Sequence, residues 1–461
     1  MRKGSSTDQP VAVTPGTAVR AVVTGDTGAL VRSRPRERIE VATDRLKTVD
    51  SRVWCVCDPD VLVIGGGATG VGVARDLALR GVEPLVVDRD GLCSGASGRS
   101  HGLLHSGARY ADSDPDGAAE CLEEARILRR IAGACVADTG GLFVRLAGDD
   151  ASYFEEKRTA CQSVGIPVET LTPSEAREVV PELPAEVEQA MRVPDGVVYP
   201  SRLIAANAID AGAHGAEVRP HAPVESITVQ DGAVTEVRLG GTAETTVTPE
   251  FVVNAAGAWA GRVADRAGVS VEMAPTRGVM VSVEYDGLGP VLNRCRQPAD
   301  GDIVIPHASE AVLGTTSVPV DNPNDYDTPA WEIDASVEEC AKLLPPVAEA
   351  PVVRSWWGLR PLYAPDEATR GGRGISRGFV RLDHAADGVA NMVSIVGGKL
   401  TTYRRMAEAT ADLVCERIGC SAPCETADRA LLGADDPARL DEAVGTFDGQ
   451  GPTDVDITTP V

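Results

Sequence analysis

The sequence is poor in lysine, in aromatic residues and in long apolar runs. After Arg52 it has three lysines against 31 arginines, and aromatic residues make up 4% of the chain. No apolar run approaches the roughly 18–20 residues that span a bilayer, and the N-terminus lacks the apolar core of a secretory signal. We therefore expect a cytoplasmic protein with no transmembrane segment of its own, whose membrane association, if any, comes through a partner.

The shortage of lysine is part of a strong acidic bias. The formal net charge is −24, with residues 1–52 net positive and the remainder strongly negative. Such a surface repels phosphate backbones, which argues against nucleic-acid binding. Carboxylates also keep proteins dissolved at high salt, where their mutual repulsion is screened. The composition is therefore typical of a protein from a salt-loving organism.

The eleven cysteines are scattered and odd in number. This usage is typical of reduced thiols that are buried as small apolar side chains in a cytosolic protein. Cys415, Cys420 and Cys424 lie close together, but their spacing matches no metal-site signature. We therefore predict no bound metal.

The length of 461 residues exceeds one ordinary core, so two domains are expected. Residues 1–58 are rich in Gly, Thr, Ser, Pro and Arg, which predicts a disordered extension or a start codon assigned too far upstream. A transit peptide would explain the arginines but not the acidic body. The acidic segment 434–461 predicts a frayed C-terminus.

From Val61 onward the chain predicts a βαβ unit. "VLVI" is a short apolar run before glycines and indicates a buried strand, the following stretch to Arg80 has helical spacing, and "PLVVD" is the next strand. Further helices are predicted at 115–131 and 201–213, the second with Ser201 as its N-cap.

Strand-like stretches dominate the middle of the chain. "EVRP", "VESITV", "AVTEVRL" and "FVVNAAG" follow one another, and "QDGA" predicts a hairpin turn between two of them. "GVMVSVEY", "DIVIPH" and "AVLGTTS" then predict a β-rich insertion over residues 271–355.

The segment "GGGATG" supplies Gly65, Gly67 and Gly70 in the G-x-G-x-x-G pattern. The first glycine permits a tight turn, the second lets the backbone approach a pyrophosphate, and the third lets the helix pack closely on the strand. The pyrophosphate charge would lie at the positive end of that helix. Asp88 follows 18 residues after Gly70, where a ribose hydroxyl needs an acceptor. Strand, turn and helix together predict a dinucleotide site.

The loop after the second strand favours FAD over NAD. "SGASGRSHGLLHSGARY", from Ser94 to Tyr110, is rich in small residues, whose backbone and hydroxyls can surround the pyrophosphate and ribityl chain of a flavin. A nicotinamide domain usually continues into another crossover helix at this point. A flexible surface loop does not explain its two histidines and two arginines.

Six stretches, in the same order, resemble FAD-dependent glycerol-3-phosphate dehydrogenases, which belong to the D-amino-acid-oxidase-like flavoprotein superfamily. They are "VIGGGATGVGVARDLALRG", "SGASGRSHGLLHSGARYA", "NAAGAWA", "WWGLRPLY", "SRGFVRLDH" and "GGKLTTYRRMAE". "ECLEEARILRRIAGACVADTGGLFV" is similar to the catalytic A subunit of the anaerobic, membrane-associated enzyme, and the acidic composition suits a haloarchaeal member. The resemblance covers about residues 60–435.

The resemblance implies an α/β fold, with a Rossmann-like FAD-binding domain of the GR2/DAO type and an inserted antiparallel-sheet substrate domain. We expect the FAD-binding domain at 59–270 and 356–412. The substrate domain is expected at 271–355 with part of 140–200, and a C-terminal tail at 413–461. By their positions in the family's motifs, the residues that match the FAD-binding set are Gly65, Gly67, Gly70, Asp88, Ser94, Ser97, Gly98, Val224, Ala256, Gly257, Gly398 and Leu400.

A cationic group is expected to bind the substrate. A phosphomonoester carries nearly two negative charges and three acceptor oxygens, and the planar fork of arginine meets two oxygens at once. Arg360 and Arg377 lie in motifs where the family places such clamps, and Thr401 matches the closing turn near the flavin. Lys399, where arginine would be too bulky, is then a compact ammonium at the flavin edge. It supports the phosphate or stabilises negative charge on the reduced flavin.

His105 and Arg109 are the candidates for proton chemistry. They lie four residues apart in "HSGARY", so both project from one face if the segment is helical. Oxidation of a secondary alcohol needs a base for the hydroxyl proton, and histidine titrates near neutrality. Arg109 would hold the developing alkoxide, a role that Arg360 could share. Four other histidines are expected to be structural: His101, His214, His221 and His384.

Three features depart from the family pattern. "RGVMVSV" has Met280 where these dehydrogenases often have a histidine, and "GTTS" at 314–317 lacks an aspartate that often follows the threonines. The anaerobic A subunits often continue into a cysteine-containing iron–sulfur region, whereas this sequence stops at Val461, as in a short form or a reading frame that ends early. The route of electrons out of the flavin therefore stays open.

The sequence thus predicts an FAD enzyme that oxidises sn-glycerol 3-phosphate to dihydroxyacetone phosphate in glycerol catabolism. Electrons would pass through membrane-anchoring and iron–sulfur partner subunits to quinone, with the chain at the inner face of the cell membrane. An FAD oxidoreductase of a 2-hydroxy acid or an amino acid is the alternative enzyme, although a carboxylate needs only one arginine and three cations favour phosphate. A non-catalytic flavin-binding subunit of a membrane complex is the alternative from another class.

Overall fold

The structure is a computed structural model and describes residues 58–365 and 378–458. Two predictions lie outside these ranges: the nature of the N-terminal extension up to residue 57, and the position of Arg377. The described residues all fall within one unit of dense internal contacts, in which two large sheets carry the core.

Within these ranges the strands are, in chain order, β1 (Val61–Ile64), β2 (Pro84–Val87), β3 (Leu103–Leu104), β4 (Val136–Ala137), β5 (Gly141–Leu146), β6 (Glu169–Leu171), β7 (Val187–Val193), β8 (Gly196–Val198), β9 (Glu217–Arg219), β10 (Val224–Gln230), β11 (Ala233–Leu239), β12 (Thr245–Val247), β13 (Phe251–Asn254), β14 (Thr276–Glu284), β15 (Val291–Arg294), β16 (Ile303–His307), β17 (Glu310–Gly314), β18 (Val318–Pro319), β19 (Val352–Arg360), β20 (Phe379–Asp383) and β21 (Met392–Gly397). The helices are α1 (Ala68–Leu79), α2 (Pro115–Ile131), α3 (Ala151–Ser163), α4 (Pro173–Val179), α5 (Pro200–Ala213), α6 (Ala260–Arg266), α7 (Ala330–Ala341), α8 (Tyr403–Ile418), α9 (Pro437–Thr446) and α10 (Val455–Thr458).

The first large sheet contains the predicted βαβ unit, and its strand order is β20-β21-β13-β1-β2-β9. The strands from β21 to β9 run parallel, while β20 pairs antiparallel with β21 at the edge. β1 is buried along its whole length, as expected for a parallel strand with both faces covered. Helix α1 packs against α5 and α8. The carboxyl ends of β1, β2 and β13 therefore meet at one edge of this sheet.

The second large sheet has the order β18-β14-β17-β16-β15-β5-β7-β6, with β19 also paired to β14. Its neighbours are antiparallel except for β5 with β15. Leu142, Val281 and Leu313 belong to its buried core, and α7 packs against β14 and β17. Two small sheets, β10-β11-β12 and β3-β8-β4, complete the α/β architecture, and the predicted fold class is confirmed.

Most local predictions agree with these bounds. The helix predicted at 115–131 has those ends, and the Asp114 carboxylate accepts a hydrogen bond from the Gly117 N–H at 3.0 Å as its cap. The "QDGA" turn connects β10 to β11, with φ of 50° at Asp231 and 78° at Gly232. Two positive φ values are what the tight hairpin turn of twisted strands requires.

The predicted N-cap of α5 is wrong. The helix begins at Pro200 after Tyr199, and Ser201 lies inside its first turn. The Ser201 hydroxyl donates instead to Asp454 Oδ1 at 2.7 Å. A partner more than 250 residues away therefore determines the role of this serine.

The predicted fraying of the C-terminus is also wrong for its described part. Asp454 is fully buried, and the Thr453 hydroxyl donates to the carbonyls of Gly98 and Ser100 at 2.8 and 2.5 Å. Carboxylates of the segment pair with the body of the protein, as Asp441 does with Arg202 at 2.7 Å. The acidic composition of this segment therefore does not prevent it from packing on the body of the protein.

The cysteine prediction is confirmed for the nine described cysteines, which are free and of which seven are buried. In the described ranges, no helix has both the length and the apolar character to cross a membrane. The same ranges contain no group of three or more His, Cys, Asp or Glu side chains arranged to hold a metal ion.

Candidate active site

A cavity of about 420 Å³ lies where the two large sheets meet. Its wall is formed by the carboxyl ends of β1, β2 and β13, by the N-terminus of α1, and by β14 and β19 of the second sheet. Open α/β sheets bind ligands at the carboxyl ends of their strands, and the volume lies in the range of cofactor and small-molecule sites.

The glycine turn between β1 and α1 is shaped by close backbone contacts. Gly65 has φ of +116°, and a Cβ at this position would lie 2.5 Å from the carbonyl oxygen of Ala255. A Cβ on Gly70 would lie 1.8 Å from the carbonyl oxygen of Gly65. Gly65 and Gly67 line the cavity, whereas Gly70 packs behind the turn. The three glycines therefore occupy positions that suit their predicted roles.

Asp88 lines the cavity at the end of β2. Its Oδ2 accepts a hydrogen bond from the Gly66 N–H at 2.7 Å, and its Oδ1 accepts one from the Asp90 N–H at 2.9 Å. Burial raises the pKa of the Asp88 carboxyl above its ordinary value. Because each carboxylate oxygen can accept more than one hydrogen bond, Asp88 can still receive a ligand hydroxyl.

The loop after β2 joins this turn to the rest of the wall. Ser94 and Ser97 line the cavity, and Ser97 Oγ accepts a hydrogen bond from the Ala68 N–H at 3.1 Å. Gly98, predicted to contact FAD, does not belong to the cavity wall. A Cβ at Gly98 would meet the carbonyl of Cys93 at 2.3 Å and Gly451 at 3.1 Å, so this glycine is needed for packing against the C-terminal segment.

Another part of the wall carries the predicted residues Val224, Ala256 and Gly257. It also carries Arg262 and Arg266 of α6, which were not predicted. The only signal for these arginines was their four-residue spacing directly after the "NAAGAWA" motif, which places both on one helix face. Sequence alone does not distinguish such a face from a solvated one.

The cavity fits the FAD that the glycine pattern predicted. The first turn of α1 contains no acidic residue, and its N-cap residue, Gly67, has no side chain that could cap the helix. Ser97 Oγ accepts a hydrogen bond from the Ala68 N–H at this end and brings no negative charge. The positive N-terminal end of the helix therefore borders the cavity, where it favours a pyrophosphate. The glycine turn lets backbone approach that group, and Asp88 supplies the ribose acceptor.

Four polar side chains from two distant segments form a polar wall of the cavity: His101, His105, Tyr110 and Lys399. The ring centroids of His101 and His105 are 6.0 Å apart, and those of His105 and Tyr110 are 5.2 Å apart. The Tyr110 hydroxyl lies 3.5 Å from His105 Nε2, and Lys399 Nζ lies 4.6 Å from the centroid of the Tyr110 ring. His101, predicted to be structural, thus lies in the candidate site.

His105 is held by buried neighbours. Its backbone N–H donates to Thr401 Oγ1 at 3.1 Å. The N–H and hydroxyl of the adjacent Ser106 donate to Asp195 Oδ1 at 2.8 and 2.7 Å, and burial raises the pKa of Asp195. Thr401, predicted to bind substrate, is fully buried and lies outside the cavity wall. Its hydroxyl therefore supports the site by holding the His105 backbone.

The geometry expected for Arg109 is wrong. The chain around His105 leaves β3 as a turn and is not helical, so the two side chains do not share a helix face. Arg109 does not line the cavity, and its guanidinium lies 3.5 Å from the buried carboxylate of Asp302. Arg109 therefore lies outside the group of predicted residues that line the cavity.

Arg360 ends β19 and lines the cavity opposite the first sheet. Its Nη2 donates to Thr315 Oγ1 at 3.1 Å and to the carbonyl of Thr316 at 3.0 Å. A Cβ on Gly278 would lie 2.7 Å from Arg360 Nη1, so the neighbouring strand leaves room for this guanidinium. Gly398 and Leu400 border the cavity beside Lys399.

The departure at Met280 is visible in the structure. Met280 lines the cavity, while His307 of β16, two strands away in the same sheet, lies next to Gly102 and does not line the cavity. His307 is 1% exposed, and burial lowers its pKa to about 4. The side chain therefore remains neutral at physiological pH and does not replace a histidine at the position of Met280.

Comparisons with known proteins agree with this geometry. Residues 60–413 match the family model described as FAD dependent oxidoreductase. The chain is 47% identical over 410 residues to the A1 polypeptide of the anaerobic glycerol-3-phosphate dehydrogenase of Haloferax volcanii, covering 86% of this chain and 70% of that one. It is 43% identical over 401 residues to the corresponding polypeptide of the Escherichia coli (strain K12) enzyme, covering 86% and 73% of the two chains.

Solved structures share the fold. The glycerol-3-phosphate dehydrogenase from Bacillus halodurans complexed with FAD superimposes with a TM-score of 0.65 at 24% identity, covering 87% of this chain and 76% of that one. Glycine oxidase from Geobacillus kaustophilus gives 0.64 at 23% identity, covering 81% and 98%. At these identities the comparison establishes architecture alone.

The fold and the cavity define a flavin-dependent oxidoreductase. The chain belongs to the FAD dependent oxidoreductase family, in the branch that contains the A subunits of anaerobic glycerol-3-phosphate dehydrogenase. FAD is its cofactor, and the Haloferax relative agrees with the halophilic composition.

Proposed function

We propose that this chain is the catalytic subunit that oxidises sn-glycerol 3-phosphate to dihydroxyacetone phosphate. The observation that carries this proposal is one cavity whose wall contains both the dinucleotide turn and the cations Arg360 and Lys399. A phosphomonoester of nearly two negative charges matches two cations from different elements. The relatives named as glycerol-3-phosphate dehydrogenase subunits support the same substrate.

Arg360 and three residues of the polar wall have distinct proposed roles. Arg360 binds the phosphate through its planar fork, while Lys399 contributes a compact positive charge. His105 accepts the proton of the secondary hydroxyl, and Tyr110 orients the imidazole through its hydroxyl. FAD, which the glycine turn and Asp88 would hold, would supply the redox chemistry as the acceptor of the hydride from the carbinol carbon. The alcohol thereby becomes a ketone, with one proton on His105.

Electron transfer beyond the flavin involves other chains in this proposal. The related A subunits are parts of multi-subunit enzymes, so partner subunits are expected here. We propose that iron–sulfur and membrane-anchoring partners pass the electrons to quinone and hold the chain at the cytoplasmic face of the membrane.

Anaerobic reduction of the bound flavin tests the proposal. FAD-loaded protein at high salt is mixed with glycerol 3-phosphate, glycerol, glycine or a 2-hydroxy acid, and the absorbance of the oxidised flavin is followed. Bleaching by glycerol 3-phosphate alone is expected, with dihydroxyacetone phosphate as the product. Bleaching by glycine or the 2-hydroxy acid in its place contradicts the proposed substrate. An absence of bleaching with every substrate indicates a non-catalytic flavin-binding subunit.

A further inference from the structure

A buried chain of hydrogen bonds leads from the protein surface to the wall of the FAD cavity. His384 Nδ1 lies 2.8 Å from Asp387 Oδ2, and His384 Nε2 lies 2.8 Å from Ser394 Oγ. Asn254 Nδ2 donates to Ser394 Oγ at 3.0 Å, and Asn254 Oδ1 accepts the Ala256 N–H at 3.3 Å. His384, Ser394 and Asn254 are each 0% exposed. We call these three residues the buried relay.

The groups at the two ends constrain the directions of the bonds. The Asn254 amide N–H donates to Ser394 Oγ, and the Asp387 carboxylate can only accept, so His384 donates from Nδ1. In the neutral imidazole with its proton on Nδ1, Nε2 is an acceptor and receives the Ser394 hydroxyl proton. Bonds that all point the same way polarise and strengthen one another in a medium of low dielectric.

The order Ser, His, Asp resembles that of a hydrolytic triad, but the surroundings exclude that chemistry. A nucleophilic serine must reach a substrate, whereas Ser394 has no exposed surface and does not line the cavity. Its oxygen is already an acceptor for Asn254. Ser394 therefore acts through its neighbours in the sheet.

The buried relay ends at the turn that follows β13. Asn254 also donates to the carbonyl of Ala260 at 2.9 Å, so one side chain ties together both ends of the segment 256–260. Residues 255–259 line the cavity. Asn254 pairs with Ile64 at the end of β1, and the glycine turn that follows approaches Ala255 so closely that no Cβ fits at Gly65.

We propose that the buried relay is a positioning device for the cofactor. Asn254 fixes the turn 255–259 against the glycine turn, and Ser394 and His384 fix the orientation of the Asn254 amide. The two turns lie side by side in the cavity wall at the sheet edge, so the relay sets how well FAD is held. This role does not depend on which substrate is oxidised. Asp387 extends the chain of hydrogen bonds from His384 to the protein surface.

Ser394→Ala removes the centre of the buried relay, and Ser282→Ala is its matched control. Ser282 is also a buried strand serine, and it donates its hydroxyl to Glu310 in the second sheet, away from the turn. The apoproteins are titrated with FAD at high salt, and the Kd, the flavin absorbance spectrum and the KM for substrate are measured. We expect the Kd of Ser394→Ala to rise about tenfold with an altered flavin spectrum. The KM of the fully loaded enzyme should change less than about twofold, and Ser282→Ala should bind FAD like the wild type.

A wild-type Kd and spectrum for Ser394→Ala would overturn the proposal, as would equal weakening in both serine variants. Asp387→Ala keeps the test decisive if Ser394→Ala does not fold, because Asp387 is largely exposed. This variant should raise the Kd about threefold, and an unchanged Kd would contradict the relay. Asp387→Asn, which retains an acceptor oxygen for the imidazole N–H, should restore most of the wild-type affinity.

Discussion

Lys399 Nζ lies 4.6 Å from the centroid of the Tyr110 ring, although the two residues come from opposite parts of the chain. After Arg52 this protein uses lysine at only three positions. A lysine therefore remains at the cavity wall of a chain that otherwise uses arginine. Its ammonium lies beside Tyr110, and the residue directly follows Gly397 and Gly398.

Lys399→Met should strongly impair turnover of glycerol 3-phosphate, because the cavity loses one of its two proposed phosphate cations. A charge-assisted hydrogen bond contributes about 1.5–3 kcal/mol, so kcat/KM should fall by about 10- to 150-fold. Lys342→Met is the control. Lys342 is an exposed lysine at the C-terminal end of α7 that pairs with Glu339, so this variant should leave kcat/KM unchanged. Steady-state kinetics with an artificial electron acceptor makes the comparison. Equal activities of the two variants would exclude Lys399 from the site.

Arg360→Lys should raise the KM for glycerol 3-phosphate by about tenfold or more. The substitution keeps a positive charge but loses the fork that binds two phosphate oxygens at once. It also loses the hydrogen bonds that Arg360 makes to Thr315 and Thr316. Arg192→Lys is the matched control, since Arg192 forms an exposed pair with Glu169. A KM that responds equally to both substitutions would contradict a specific role for Arg360.

Gly70→Ala should abolish FAD binding and destabilise the protein, because the added Cβ would lie 1.8 Å from the Gly65 carbonyl oxygen. Gly212→Ala is the opposite case in helix α5, where a Cβ meets no atom within 4 Å. That variant should raise the free energy of unfolding by about 0.5–1 kcal/mol. Thermal unfolding and bound-flavin content report both effects. A Gly70→Ala protein that retains FAD would show that the turn differs from the structure.

Asp454 should make stability depend on pH. Burial raises its pKa from the ordinary 3.8 to about 6, so the folded protein holds this proton more tightly than the unfolded chain. The stabilisation is therefore complete below about pH 4 and is lost as the pH rises through about 6. It amounts to roughly 3 kcal/mol, and Asp456, whose pKa is also raised to about 6, acts in the same direction.

Denaturant unfolding at constant high salt, from about pH 4 to about pH 7, measures this dependence. The free energy of unfolding of Asp454→Asn should decline less steeply over that interval than that of the wild type, because its amide does not titrate. Identical slopes for the two proteins would show that Asp454 titrates normally. Such a result would also contradict the burial of the C-terminal segment.

The features that sequence predicted correctly are those that depend on neighbours along the chain. The glycine turn, the helix beginning at Pro115 and the hairpin at Asp231 each follow from a few adjacent residues. Family motifs then placed His105, Arg360 and Lys399, and the structure brings all three to the cavity wall.

The failures concern side chains whose partners are distant in sequence. Ser201 pairs with Asp454 and not with its own helix, and Thr401 supports His105 from behind the wall. Arg109 faces Asp302, and the segment around it forms a turn and not the helix that would place it beside His105. None of these contacts leaves a periodic or spacing signal, so sequence alone could not separate a residue that lines the cavity from one that supports it.

The most direct test of the central claim is a crystal structure of the FAD-loaded protein with glycerol 3-phosphate, prepared without oxygen. We expect the phosphate within hydrogen-bond distance of the Arg360 guanidinium and near the Lys399 ammonium, with the secondary hydroxyl facing His105. A phosphate bound instead at Arg262 and Arg266, or substrate outside this cavity, would contradict the proposed function.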